Sequence, residues 1–199
     1  TIVLLNDDTE IVTTDWLERI TTLLSFDGVG VVGVKLLYAD GRIQHAGVAR
    51  RRGMPDHIAH GYPVVGPHGK ACFATTGACL AVGTDDWIRV GGMDEELPLN
   101  FNDVDLCLRL RQLGLRAVVD NQTVLTHLET SSRPAGSMTW EVDRFLETWP
   151  EDSWPDWWDN PNFIDVGMEH IPAPPALVAL REFRSAPLPA RVIARAPEH

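Results

Sequence analysis

The sequence predicts an α/β domain built on strands of the parallel-sheet type, from three observations. Its opening, "TIVLLNDD", runs five apolar or β-branched residues straight into Asn6, Asp7 and Asp8. Short extended stretches then alternate with stretches of helical apolar spacing. With 199 residues, 44% of them hydrophobic, the chain can bury one core and carry an appendage.

The elements follow in order. Ile2–Leu5 reads as a fully buried strand, because strands covered on both faces need no polar alternation. Asp15, with Glu18 three residues on, marks a helix start, and Leu17, Ile20 and Leu24 form its apolar stripe. "VGVVGVKLLYADGRIQHAGVA" places two extended stretches around Asp40-Gly41, a strong hairpin signal. From Arg50 to Lys70 the pattern dissolves into a Gly-, Pro- and His-rich loop of the length used for lids and binding loops. "ACFATTGACLAV" restores a buried strand, and Thr84–Val90 predicts a short helix stopped by Gly91-Gly92. Asn102 is expected to cap a helix carrying Leu106, Leu110 and Leu113 on one face, with Gly114 as its stop. "RAVVD" and "TVLTHLE" read as two more strands, followed by a turn at "SSRPAGS".

Three parts result. Residues 1–137 form the main domain. Residues 138–163 hold an amphipathic helix over 138–149 and an irregular tryptophan-rich segment docked on the body. Five of the seven tryptophans fall between Trp140 and Trp158; burial accounts for them more simply than sugar stacking does. Residues 164–199 are a Pro-rich, poorly ordered tail with at most one helix. No internal repeat is visible.

With 17 basic and 28 acidic residues the net charge is −11, which argues against a general nucleic-acid binder. A small phosphorylated ligand stays open, because a metal ion can supply positive charge locally. Cys72, Cys79 and Cys107 lack paired spacing, as expected of buried thiols in a reducing compartment rather than a disulfide framework or zinc site. No leader-type segment or membrane-spanning apolar run is seen. Arg50–Arg52 form a basic run that could touch an anionic acceptor or lipid, although loop charges are usually just solvated.

Three places carry chemistry. Asn6-Asp7-Asp8 follows a strand, where ligands of open α/β sheets bind. Carboxylates there suit a hard divalent cation, Mg²⁺ or Mn²⁺, although an ordinary strand-end turn uses the same residues. "FNDVDLCLRLRQLG" puts Asp103 and Asp105 in the first turn of a helix. Either could be a simple N-terminal charge, but a cleft-facing one would serve as a general base. Asp105 has Arg109 four residues on and is the more structural of the two; Asp103 is the better base. His127 follows an apolar strand at the same rim, as either a structural hydrogen-bonder or a ligand. Arg133, after two serines, could hold a phosphate or be a solvated loop charge.

Together, "LLNDDTEIVTTDWLERI", "VGVVGVKLLYADGRIQHAGV", "TGACLAV", "GGMDEELPLNFNDVDLCLRLRQLGLR" and "HLETSSR" closely resemble family 2 glycosyltransferases of the GT-A fold, in their rhamnosyl- and galactofuranosyltransferase-like branch. "WWDNPNF" is similar to a later segment of such enzymes. The resemblance implies a Rossmann-like, mostly parallel sheet with helices on both faces. It also implies inverting transfer of a sugar from a nucleotide-diphosphate-sugar donor to a saccharide or lipid-linked saccharide acceptor, in cell wall polysaccharide or glycoconjugate synthesis. The location implied is the cytoplasm or the inner face of the membrane.

Residue by residue, Asn6-Asp7-Asp8 matches the D-x-D-type motif. Asp8 would be the metal carboxylate and Asp7 would lie near the donor, while Asn6 replaces an acidic position seen in many members. Asp103 matches the catalytic base, His127 a histidine completing the metal site, Ser132 and Arg133 diphosphate contacts, and Gly77 and Ala78 the border of the donor sugar. The cofactor implied is Mg²⁺ or Mn²⁺. The β-α units that hold the nucleoside in that family are absent from this sequence, so the fold is expected to be N-terminally incomplete, with an unpaired strand and weak or absent turnover by residues 1–199 alone. Two rival readings are another metal-dependent nucleotide-processing enzyme, a nucleotidyltransferase or phosphohydrolase, and a non-catalytic carbohydrate-binding descendant. No Gly-rich phosphate loop with a following Lys supports the first.

Overall fold

The computed structural model describes residues 1–51, 54–63, 70–128, 139–150, 163–166 and 169–172. The chain begins with β1 (Ile2–Leu5) and β2 (Thr9–Ile11), then α1 (Trp16–Leu24), β3 (Val29–Leu37) and β4 (Ile43–His45). A hairpin of β5 (Val48–Arg51) and β6 (Met54–His57) precedes β7 (Lys70–Cys72) and β8 (Cys79–Val82). Then come α2 (Thr84–Val90), α3 (Asn102–Gln112), β9 (Arg116–His127) and α4 (Thr139–Thr148). A last hairpin pairs β10 (Phe163–Val166) with β11 (Glu169–Pro172).

The main sheet has the order β1-β8-β3-β9-β2, with β4 also on β3 and β7 also on β9. β3 is its centre, and successive residues of β3 face opposite sides. Val31 packs with Leu80, Val82, Leu106 and Leu110, so α3 covers one face. Val32, Val34 and Leu36 pack with Cys79, Ala81 and Ile20, so α1 covers the other. Helices on both faces explain why β8 is apolar throughout and β3 is apolar but for Lys35.

The expectation of a mostly parallel sheet is corrected. Among the described residues only β3 and β9 run parallel; β1, β2, β4, β7 and β8 all pair antiparallel to their neighbours. An apolar run records burial of both faces, not strand direction, and antiparallel pairs need no helical crossover. Ile2–Leu5 is likewise not fully buried. It pairs antiparallel with β8, has no partner on its other side among the described residues, and ends at a 43% exposed Leu5.

Other elements shift in instructive ways. The Asp40-Gly41 hairpin is present, with Gly41 at φ +85° and Tyr38 N–H donating to Arg42 O. α1 buries Ile20, with Trp16, Leu23 and Leu24 packed beside it, while Leu17 stays exposed. The stripe therefore starts one residue earlier than expected, at Trp16. The stretch read as a loop from Arg50 begins inside a hairpin, in which residues 48–51 pair with residues 54–57. "ACFATTGACLAV" is not one strand but two, β7 on β9 and β8 on β3, broken at residues 73–78. "RAVVD" and "TVLTHLE" conversely merge into the twelve-residue β9. α2 and α4 match their expected spans, and Gly91 closes α2 in the left-handed region at φ +81°. β10 and β11 lie at the start of the tail, and residues 173–199, on which the single helix allowed for it would fall, lie outside the described residues. Trp154, Trp157 and Trp158 lie outside the described residues.

Candidate functional site

Two backbone pairings build the site. β2 lies antiparallel to the end of β9 with Thr9 opposite His127, and Leu128 N–H donates to Asp8 O at 2.9 Å. That register brings Asp8 alongside His127 although 119 positions separate them in sequence. On the other side, β1 pairs Leu5 with Cys79, and Asn6 N–H donates to Ala78 O at 2.9 Å. The tripeptide Asn6-Asp7-Asp8 thus spans from a strand held by β8 to a strand held by β9.

Asp8 Oδ1 lies 3.0 Å from His127 Nε2, with the two side chains 18% and 14% exposed. Asn6 Nδ2 lies 3.3 Å from the same ring nitrogen. His127 Nδ1 lies 2.7 Å from Gln44 Oε1. Asp7 is exposed and does not line the cleft described next.

A cleft of about 340 Å³ opens at this rim. Its walls are the end of β1 through Asn6, the turn Thr76–Ala78, the start of α3 at Asn102 and Asp103, and His127, with Met93 and Leu99 above. Asp103 is half-buried. Its Oδ2 accepts Gly77 N–H at 2.8 Å, and its Oδ1 accepts Val104 N–H at 2.8 Å. Two backbone donors thus orient the carboxylate in the first turn of the helix. It still opens to the cleft, as a proton acceptor must.

Asp105 occupies the opposite side of α3. It is 2% exposed, ion-paired with Arg109 at 2.6 Å, and accepts Trp149 Nε1–H at 2.8 Å. Its place is the joint between α3 and α4. Gly77 and Ala78 border the cleft, while Ser132 and Arg133 lie outside the described residues.

The start of α3 departs from expectation. Asn102 is its first residue rather than its cap; the cap is Phe101, held left-handed at φ +64°. Such a backbone costs a bulky residue about 1–3 kcal/mol. Phe101 offsets it by stacking on Phe145 of α4, with ring centroids 4.8 Å apart. Just before it, the fully buried Glu141 of α4 accepts Leu99 N–H at 2.9 Å, Asn100 N–H at 3.0 Å and Asn100 Nδ2–H at 2.6 Å. Burial alone would raise its pKa, but these three donors hold it below the ordinary value. α4 therefore fixes the loop that aims Asp103.

Sequence reasoning missed Gln44, Thr76, Met93, Leu99 and Glu141. Only Glu141, a carboxylate inside an amphipathic helix, left a readable signal.

Asp8 and His127 suit a divalent cation shared with a ligand rather than a resident metal. No group of three or more His, Cys, Asp or Glu side chains converges among the described residues, so other oxygens must complete any coordination. Mg²⁺ is typically held that way, by one or two protein ligands plus phosphate oxygens and water. Two adjacent octahedral ligands about 2.1 Å from one ion stand roughly 3.0 Å apart, the separation Asp8 Oδ1 and His127 Nε2 show. No helix among the described residues is long and apolar enough to cross a membrane.

No family model matches the chain. The chain is 38% identical over 181 residues to a protein of Sinorhizobium fredii described as uncharacterized protein y4gI, a match covering 81% of this chain and 20% of that protein. It is 35% identical over 153 residues to the O-antigen biosynthesis protein RfbC of Myxococcus xanthus, covering 71% of this chain and 12% of that protein. The chain thus resembles a fifth or less of each of these longer relatives.

Proposed function

We propose that this chain is the catalytic rim of a family 2, GT-A-type inverting glycosyltransferase, which moves a sugar from a nucleotide-diphosphate-sugar donor to a saccharide or lipid-linked saccharide hydroxyl. One observation carries the reading: Asp103 opens into the same cleft whose far wall is Asn6 and His127, with Asp8 beside them. The printed name of the Myxococcus xanthus relative, O-antigen biosynthesis protein, supports a role in cell-surface polysaccharide synthesis.

Asp103 takes the proton of the acceptor hydroxyl as its oxygen attacks the anomeric carbon. The new C–O bond forms as the bond to the diphosphate breaks on the opposite face, and the anomeric configuration inverts. A single base suffices, so no second catalytic carboxylate is required. Asp8 and His127 would hold Mg²⁺ or Mn²⁺, which neutralises charge on the departing diphosphate. Gly77 and Ala78 line the donor-sugar side, and Ser132 and Arg133 are proposed to approach the diphosphate.

The test is product analysis with the complete gene product, a panel of nucleotide sugars and oligosaccharide acceptors. Nucleoside diphosphate released together with an inverted glycoside upholds the reading. Pyrophosphate or free phosphate would assign the site to nucleotidyl transfer or phosphohydrolysis. Metal-dependent donor binding without turnover would make it a carbohydrate-binding relic.

A further inference from the structure

We propose that Gln44 is a positioning residue that keeps the ring proton of His127 on Nδ1, so that Nε2 faces Asp8 as a lone pair. The proposal rests on the reading of Asp8 and His127 as a cation corner.

Its structural origin is an irregularity in β4. Pairing with β3 runs Leu36 with His45 but Leu37 with Ile43, so Gln44 is the extra residue between two paired ones. Bulges re-aim a side chain, and here the one re-aimed is a carboxamide. On its other edge β3 pairs Leu37 with Thr126 of β9, which leaves His127 just past the last paired residue. Gln44 reaches His127 there.

The chemistry then follows from donor and acceptor counting. A carboxamide oxygen only accepts, so the 2.7 Å contact of Gln44 Oε1 with Nδ1 requires a proton on Nδ1. A neutral imidazole has one such proton, so Nε2 must then be an acceptor. Asn6 agrees, presenting its amide nitrogen to Nε2 at 3.3 Å. Asp8 is the competitor, because its carboxylate at 3.0 Å would favour a proton on Nε2. Burial decides the contest. Gln44 is 8% exposed, so an Oε1 that lost His127 would find little water to replace it. The 18% exposed Asp8 side chain has access to solvent or a cation instead. A metal-binding histidine needs this arrangement: one nitrogen tied by its proton, the other bare.

Histidine-selective ¹⁵N spectra of the cation-free protein, with His127 assigned by its loss in His127→Gln, read the tautomer directly. The expected result is Nδ1–H in the wild type and in Gln44→Glu, which keeps an acceptor, and a switch away from it in Gln44→Leu. Calorimetric titration with MnCl₂ should show binding weakened about 10-fold or more in Gln44→Leu, as for other outer-shell partners, and preserved in Gln44→Glu. Nε2–H in the wild type overturns the proposal. So does equal weakening by both variants when their melting temperatures match the wild type. A wild type with Nδ1–H but no Mn²⁺ uptake upholds the proton placement and sinks the cation corner.

Discussion

The backbone N–H of Gly77 donates to Asp103 Oδ2 across 2.8 Å, tying the turn before β8 to the first turn of α3. A carboxamide oxygen at the same place would still accept that N–H, while the amide nitrogen would face the Val104 N–H that Oδ1 now accepts, so Asp103→Asn keeps the joint to Gly77 and loses the base and one local acceptor. General bases contribute typically about 10²–10⁴-fold. Asp103→Asn is therefore expected to lower kcat for sugar transfer by that factor while leaving donor affinity near wild type and lowering Tm only modestly, through the lost acceptor for Val104 N–H. Steady-state kinetics, donor titration and a thermal melt check it, and equal loss of affinity would point to a folding role.

Gly77 and Gly33 make a matched pair of tests. A Cβ on Gly77 would meet Asp103 Cβ at 3.5 Å and Met93 Cε at 3.9 Å, which is ordinary contact. Gly77→Ala should fold normally and impair only ligand access, because its methyl projects into the cleft beside the base. A Cβ on Gly33 would fall 1.7 Å from Thr75 Oγ1 in the packed core. Gly33→Ala should cost at least about 1–3 kcal/mol, the usual range for overpacking. Urea melts of both variants separate the two outcomes.

Glu141 makes stability depend on acid. Its folded pKa lies below the ordinary value, so the unfolded chain binds the proton more readily. The stabilisation is complete above the ordinary carboxylate range, near pH 4, and is lost as pH falls through the lower folded value. Asp120 acts in the same direction: burial would raise its pKa, but Thr123, Gln122 N–H and Arg19 outweigh that and lower it. Urea midpoints should fall steeply below about pH 5 in the wild type. Glu141→Gln should start less stable, since the buried N–H donors of Leu99 and Asn100 lose a charged acceptor, and its acid slope should be shallower but not flat.

The three thiols should be inert in the folded protein. Burial pushes Cys72 and Cys79 up to about 12 and raises Cys107 as well. With a pKa near 12 about one thiol in ten thousand is ionised at pH 8, and the thiolate is the reactive form. Iodoacetamide at pH 8 should label none of the three in native protein and all three in urea, as intact mass will show. Fast labelling of a native thiol would contradict the packing around β8 and α3.

Local chemistry determined a good deal here. Asp40-Gly41 announced its hairpin and Gly91-Gly92 its helix stop, because positive-φ turns demand particular residues. The spans of α2 and α4 were legible from apolar spacing, as were Asn6, Asp103 and His127 on the rim of the cleft and Asp8 beside it, since each adjoins a strand or helix end that its neighbours specify. What pairs with what was decided by tertiary structure. The runs at Ile2–Leu5 and Cys79–Val82 look alike whether parallel or antiparallel, since hydrophobicity encodes cover and not direction. Gln44 came to His127 through a one-residue slip between β3 and β4. Phe101 displaced Asn102 from the cap because Phe145, 44 residues away, offers it a ring to stack on. Contacts of that kind leave no local trace, for their energy resides in partners that only the folded chain brings together.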